Sequence, residues 1–212
     1  WCAKTSEIIS QILNEDMKNK QIVLVANLDR DPFPDENLVH FVRGEIDDKA
    51  TLIKANVKQA RTAIVLNEDD NDATTVLSAL TINSLNPSLY TIAEITKEEN
   101  RAHLENSGVD EIIVNNNINS QLMVRTALYH GTSLVFNELL SNRVGNEIYL
   151  AKVGEEEANK RYIDLLNIFK EDKNATLLGV KRGEDVILNP NKFEKLLSSD
   201  HLIYIAPDRL KA

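Results

Sequence analysis

Five carboxylates between residues 68 and 94 are the side chains best placed to do chemistry. Glu68, Asp69, Asp70 and Asp72 follow the apolar run RTAIVL (61–66), and Glu94 ends the run YTIAE (90–94). Hard cations such as Ca2+ take several carboxylate or carbonyl oxygens, often from turns. In an open parallel sheet, ligands sit beyond the carboxyl ends of the strands. If 61–66 and 90–94 are adjacent strands, they lie about 5 Å apart. Glu68, Asp70 and Glu94 are then the candidate metal-ligating set. The plainer reading is that Asp70 or Asp72 caps the following helix at its positive end.

The elements that must position these acids read as strand, helix, strand. Thr62–Leu66 is a strand, a helix runs from about Asp72 to Leu85 with Val76, Leu77 and Leu80 on one side, and Tyr90–Glu94 is the next strand. Upstream, Thr5 or Ser6 starts a helix whose face is Ile8, Ile9, Ile12, Leu13 and Met17. The run QIVLVA (21–26) has the unbroken apolar character of a strand covered on both faces. Val39–Val42 is a further strand, and Asp47 or Asp48 caps a short helix through Leu52, Ile53 and Val57. Thr96 with Glu99 three residues on reads as a capping box. That helix ends at Ser107-Gly108, and Glu111–Val114 is a strand. Strands alternating with helices over short loops mean a doubly wound, parallel α/β sheet of Rossmann-like type. Such a sheet opens with an apolar strand, which this chain lacks before its first helix. The expectation is therefore a fragment of a longer chain.

The pattern changes after residue 116. Ile118–Tyr129 is a helix presenting Leu122 and Met123, broken at His130-Gly131. Thr132–Leu140 is a second helix with Leu134, Phe136 and Leu139. A helix apolar around most of its girth needs two sets of neighbours. Burial between two layers of one chain and packing on a second subunit both satisfy that need. Beyond it, the short strands Glu147–Val153, Leu177–Val180, Asp185–Leu188 and His201–Ala206, with a helical run at Tyr162–Phe169, predict a small α+β domain. The expected organisation is 1–116, a helix–turn–helix at 117–141, and 142–212.

Other chemistries find little support. A pyrophosphate site needs G-x-G-x-x-G at the first turn, so that backbone can approach the phosphates. That place holds Trp1-Cys2-Ala3-Lys4-Thr5-Ser6. The acid that would bind a ribose is replaced by Asn27, with Asp29 two residues on, so these two are the weak candidates for a nucleotide cofactor. NAD or another nucleotide is not expected. His40, His103, His130 and His201 show no metal-ligand spacing. No G-x-S-x-G elbow or P-loop is present. Nothing points to an enzyme.

The net charge of −9 argues against nucleic acid, which needs a basic face. A single cysteine, Cys2, predicts a reducing compartment. No apolar run is long enough to span a bilayer.

Several stretches together are similar to the regulator-of-K+-conductance (RCK) domain of prokaryotic ligand-gated potassium channels. They are LIKANVKQARTAIVL (52–66), the turn at Asn71-Asp72, TIAEITKEEN (91–100), SGVDEIIVNNNINSQLM (107–123), SLVFNELL (133–140) and GVKRGEDVILNP (179–190). The resemblance implies a regulatory domain, not an enzyme, on the cytoplasmic face of the cell membrane. In the parent chain it follows a two-helix K+ pore. Domains pair through crossover helices, here 118–140, with Phe136 in the contact, and eight form a gating ring. In calcium-gated members, carboxylates from the turn after the third strand and from the end of the next one bind Ca2+. Glu94 matches one position, and the turn ligand falls among Glu68, Asp69 and Asp70. A further acid of that site is Thr96 here. The rival reading is an NAD(H)- or nucleotide-binding regulatory subunit or enzyme of Rossmann type.

Overall fold

The computed structural model describes residues 3–14, 21–67, 70–141, 145–190 and 195–210. The chain divides into two compact units, Trp1–Leu128 and Tyr129–Ala212. The division falls between the two helices that the sequence analysis groups as one element.

The first unit is parallel α/β. Helix α1 (Ala3–Asn14) leads to β1 (Ile22–Ala26) and β2 (Val39–Arg43), which pair in parallel with Ile22 opposite Val39. Then come α2 (Lys49–Lys54), β3 (Thr62–Val65), α3 (Asp72–Leu85), β4 (Tyr90–Ile95), α4 (Arg101–Asn106), β5 (Glu111–Val114) and α5 (Asn115–Leu128). Strands β3, β4 and β5 form a second parallel set with β4 in the middle. The Rossmann-like class is thus present, with its strands in two hydrogen-bonded groups. Among the described residues, β1 pairs only with β2, and β3 only with β4.

Several local expectations are corrected. Helix α1 begins at Ala3, so Thr5 and Ser6 lie inside it rather than before it; Thr5 is buried. Met17 lies outside the described residues. Strand β1 is covered on one face: Leu24 packs with Ile9 and Val39, while Val23 stays 41% exposed. Asp48, not Asp47, caps α2, its Oδ2 accepting the Thr51 N–H at 2.9 Å. Helix α3 faces inward through Thr75, Ser78, Ala79 and Ile82, leaving Leu77 and Leu80 exposed. Small side chains let the helix approach the strands closely; Ala79 and Ile82 join Val65, Ala93, Ile95 and Leu104 in the core. The capping box at Thr96 does not form. A 3-10 turn (Glu98–Asn100) precedes α4, its cap Lys97 makes no side-chain bond, and Thr96 is used elsewhere.

The second unit begins with α6 (Thr132–Leu140). It continues with β6 (Glu147–Lys152), α7 (Tyr162–Asp172), β7 (Thr176–Arg182), β8 (Asp185–Leu188) and β9 (His201–Ala206). Its strands form one antiparallel sheet in the order β6-β9-β7-β8. Helix α7 buries Tyr162, Leu165 and Phe169, spaced three and four apart, so they share one face. They pack with Leu177, Val180, Leu202 and Tyr204 of the sheet. The Tyr204 ring meets Phe169 edge-on at 6.0 Å and Tyr149 at 5.6 Å. Asp200, wholly buried, receives Arg182 through two bonds of 2.8 and 2.6 Å and the Leu197 N–H at 2.9 Å.

Candidate functional site

The carboxyl ends of β3 and β4 make a polar rim. Val65 is opposite Ala93, so the segments leaving these strands, Asn67 to Asp72 and Glu94 to Asn100, run beside each other. Glu94 is 8% exposed. Its carboxylate receives the Lys4 ammonium on both oxygens, at 2.8 and 2.6 Å, and the Asn67 N–H at 3.2 Å. Lys4 comes from the first turn of α1.

Asp72 is the most heavily used acid. It receives the Thr96 N–H at 2.9 Å, the Lys97 N–H at 3.1 Å and the carboxamides of Asn67 and Asn100, each at 2.6 Å. An ionised carboxylate offers about four lone-pair sites, and this one fills them with protein donors. Burial alone would raise its pKa, but the bonds from Thr96, Asn100 and Lys97 outweigh that and hold it below the ordinary carboxylate value. Asp72 sits in the first turn of α3, where its charge suits the helix end. Its oxygens nevertheless bond to the β4–α4 connection rather than capping α3.

Asp70 stands at the outer edge of the rim. It is exposed, has a left-handed backbone (φ 52°), and accepts the Thr96 hydroxyl at 3.0 Å. Aspartate tolerates that conformation better than most residues. Thr96 also receives the Asn67 carboxamide at 3.2 Å. Asp70 and Glu94 thus belong to one hydrogen-bonded rim, linked through Asn67 and Thr96. Glu68 and Asp69 lie outside the described residues. Among the described residues, no three His, Cys, Asp or Glu side chains gather closely enough to hold a metal. The described part of the rim therefore does not fit a resident metal as it stands: it supplies two candidate ligands, each already holding a protein donor.

The nucleotide candidates stand beyond the end of β1. Asn27 donates to Glu45 at 2.6 Å, and the exposed Asp29 pairs with Arg43 at 2.9 Å. Each thus already bonds to a neighbouring side chain.

The predicted contact residues lie on α5 and α6. No residue of either helix is buried. Met123 is 74% and Leu134 71% exposed; Phe136 is exposed as well, and Leu122 and Leu139 are half-buried.

Sequence reasoning missed Lys4 and Asn67 as rim residues and named Thr96 only as the residue standing where the resemblance sets a further acid. Lys4 carried a signal: it falls in the stretch 1–6, where a phosphate-binding sequence would keep its glycines. Asn67 carried none, because its role depends on the register of β3 against β4.

Residues 4–115 match the family described as TrkA-N domain, and residues 116–212 match that described as Castor and Pollux, part of voltage-gated ion channel. The putative potassium channel protein YugO of Bacillus subtilis is 27% identical over 97% of this chain and 63% of its own length. The calcium-gated potassium channel TvoK of Thermoplasma volcanium is 28% identical over 59% of this chain and 38% of its own. The probable ion channel CASTOR of rice is 24% identical over 98% of this chain and 25% of its own. The chain thus spans less than two thirds of the length of each. Among solved structures, the human SLO3 gating ring superposes with a TM-score of 0.72 at 15% identity, over 90% of this chain and 40% of that one. That likeness speaks for the fold. No helix among the described residues is long and apolar enough to cross a membrane.

Proposed function

This chain belongs to the TrkA-N domain family, and from that membership we propose that it is the regulatory, ring-forming domain of a potassium channel rather than an enzyme. The similarity to potassium channel proteins along nearly the whole chain supports this reading. The structural observation that carries it is the exposure of apolar side chains on α5 and α6, among them Met123, Val124, Leu134 and Val135, with no buried residue on either helix. Exposed apolar surface on that scale marks an interaction site. Copies pair there through Leu122, Met123, Leu134, Phe136 and Leu139, and the pairs close into an octameric ring on the cytoplasmic face of the membrane, joined to the pore of the same full-length chain.

The ligand in this reading is a divalent cation such as Ca2+, bound at the rim of Asp70 and Glu94 with Glu68 from the adjoining turn. The calcium-gated relative supports that choice. A ligand shifts a two-state ring only by its differential affinity for the two states. A cation that relieves repulsion between carboxylates brought together in one state supplies such a difference.

Two measurements test the proposal. Light scattering on the purified chain reads its mass, and a dimer or larger ring is expected. Thermal unfolding is followed with CaCl2, NAD(H) or ATP. Stabilisation by CaCl2 that Glu94→Gln removes supports the cation reading. Stabilisation by NAD(H) or ATP alone defeats it in favour of a nucleotide-binding module.

A further inference from the structure

Lysine, histidine and lysine stand in one row across the antiparallel sheet of the second unit. Lys152 ends β6, His201 begins β9, and Lys181 lies next to the end of β7. The register sets Lys152 opposite His201, and His201 opposite Lys181. Directly opposite residues share a face, with Cβ atoms about 5 Å apart. Two ammonium groups thus flank one imidazole. We propose that this row is an anion site that holds the phosphate of a soluble organic phosphate ester.

Three observations carry the proposal. First, the row is uncompensated. Among the described residues, no ion pair or side-chain hydrogen bond engages Lys152, His201 or Lys181. Elsewhere in the unit Arg161 holds Asp164, Lys173 holds Glu157 and Arg182 holds Asp200. Asp200, the chain neighbour of His201, is therefore already taken. The exposed Glu155 and Glu156, just past Lys152, pair with none of the three. In a chain of net charge −9, carboxylates are not scarce, so the open row stands apart.

Secondly, protection of a sheet edge does not explain it. Lysine on an edge strand discourages pairing with other chains, and Lys152 is on the edge strand β6. His201 and Lys181 are on the inner strands β9 and β7, and both are half-buried.

Thirdly, apolar side chains adjoin the row on the same face. Leu150, two residues before Lys152, is 45% exposed, and Val186, opposite Lys181, is 58% exposed. An anion with an organic part covers this surface, and inorganic phosphate does not. Lysine stems are long and flexible, so both ammonium groups can turn onto one anion above the shorter imidazole. The imidazole keeps an N–H to donate in either protonation state. The net charge opposes approach to an anionic bilayer, which favours a soluble ester over a lipid headgroup.

The test is a titration of the intact, isotope-labelled chain with phenyl phosphate, followed by amide chemical shifts. Inorganic phosphate, and NaCl at matched ionic strength, are the controls. Saturable shifts are expected where β6, β7 and β9 carry the row, at lower concentration with phenyl phosphate than with inorganic phosphate. Lys152→Met and Lys181→Met, and their Gln counterparts, should each raise the half-point at least about ten-fold, because a charge-assisted hydrogen bond is lost. Lys181→Arg should titrate as native. So should Lys58→Met, which makes the same charge change in the first unit. Equal half-points in the native chain and the row variants overturn the proposal, as does an equal loss in Lys58→Met. Equal half-points for the two phosphates overturn the assignment to an ester, and absence of any saturable shift overturns the site. Sedimentation with phosphatidylglycerol but not phosphatidylcholine vesicles, without a phenyl phosphate response, overturns it in favour of a membrane surface.

Discussion

The carboxamide of Asn100 lies 2.6 Å from Asp72, and that bond joins the entry of α4 to the first turn of α3. The same carboxylate holds two backbone N–H groups of the β4–α4 connection and the side chain of Asn67 beyond β3. One side chain thus fixes both segments of the rim.

Replacing Asp72 with Ala strands the Thr96 and Lys97 N–H groups and two carboxamides. A hydrogen bond to a charged group is worth roughly 1.5–3 kcal/mol, and several are lost together, so the loss in stability should exceed that of one such bond. Urea unfolding monitored by far-UV circular dichroism measures it. A loss below about 0.5 kcal/mol, the level of an ordinary surface change, would show that this carboxylate does not organise the rim.

Arg182 and Asp200 make the corresponding prediction for the second unit. Asp200 is fully buried, and Arg182 keeps 36% of its side chain exposed. Removing one partner of a buried pair costs roughly 3–5 kcal/mol, because the other charge is left uncompensated. The partial exposure of Arg182 places Arg182→Met toward the lower end of that range. The double change Arg182→Met with Asp200→Leu should recover part of the loss. If the single variant melts with the native protein, the pair contributes nothing.

The pH dependence follows from the same two acids. Bonds from Arg182, outweighing burial, hold Asp200 below the ordinary value of 3.8. Asp72 is held low by its donors against burial. A carboxyl with a depressed folded-state pKa contributes stability that is present above its unfolded value and is lost as pH falls through the folded value. Stability should therefore hold steady from pH 7 to about pH 5 and decline below about pH 4. The decline should be shallower in Asp200→Asn. Urea midpoints across that range are the measurement, and an identical acid limb in the variant would contradict the assignment.

Oligomeric state tests the exposed helices. Phe136→Asp with Met123→Lys places charges on exposed apolar side chains of α6 and α5. The expected outcome is a smaller mass by light scattering, with secondary structure unchanged. Native mass in that variant would move the interface elsewhere.

Gly179→Ala tests the packing of β7 on β8. An added Cβ would stand 2.2 Å from the Ile187 carbonyl oxygen, a backbone atom that cannot rotate away. It would fall beside the irregularity between Leu177 and Gly179, where β7 shifts register against β9. The loss should reach the roughly 1–3 kcal/mol typical of overpacking, read as a lower thermal midpoint of the purified variant.

Much of the scaffold was legible because its signals are local. The apolar run at 62–66 marks β3, and the stretches at 177–180 and 185–188 mark β7 and β8, from neighbouring residues alone. The inward face of α3 was misread because Leu77 and Leu80 are the larger apolar residues, whereas close approach to the strands favours Ala79 and Ser78. The rim was half legible. Its carboxylates announce themselves by type, and the strand ends put Asp70 and Glu94 on one rim. Their partners do not announce themselves: Lys4 is 90 residues from Glu94, and Thr96 reads locally as a helix cap until the register of β3 and β4 brings it to Asp70.

The exposed apolar side chains of α5 and α6 bear on what stability means for this molecule. Where copies pair over that surface, as proposed, part of the folding free energy becomes a function of protomer concentration. A melting temperature measured on a dilute sample and one measured on a concentrated sample then describe different equilibria. Each value has meaning only beside the concentration at which it was taken.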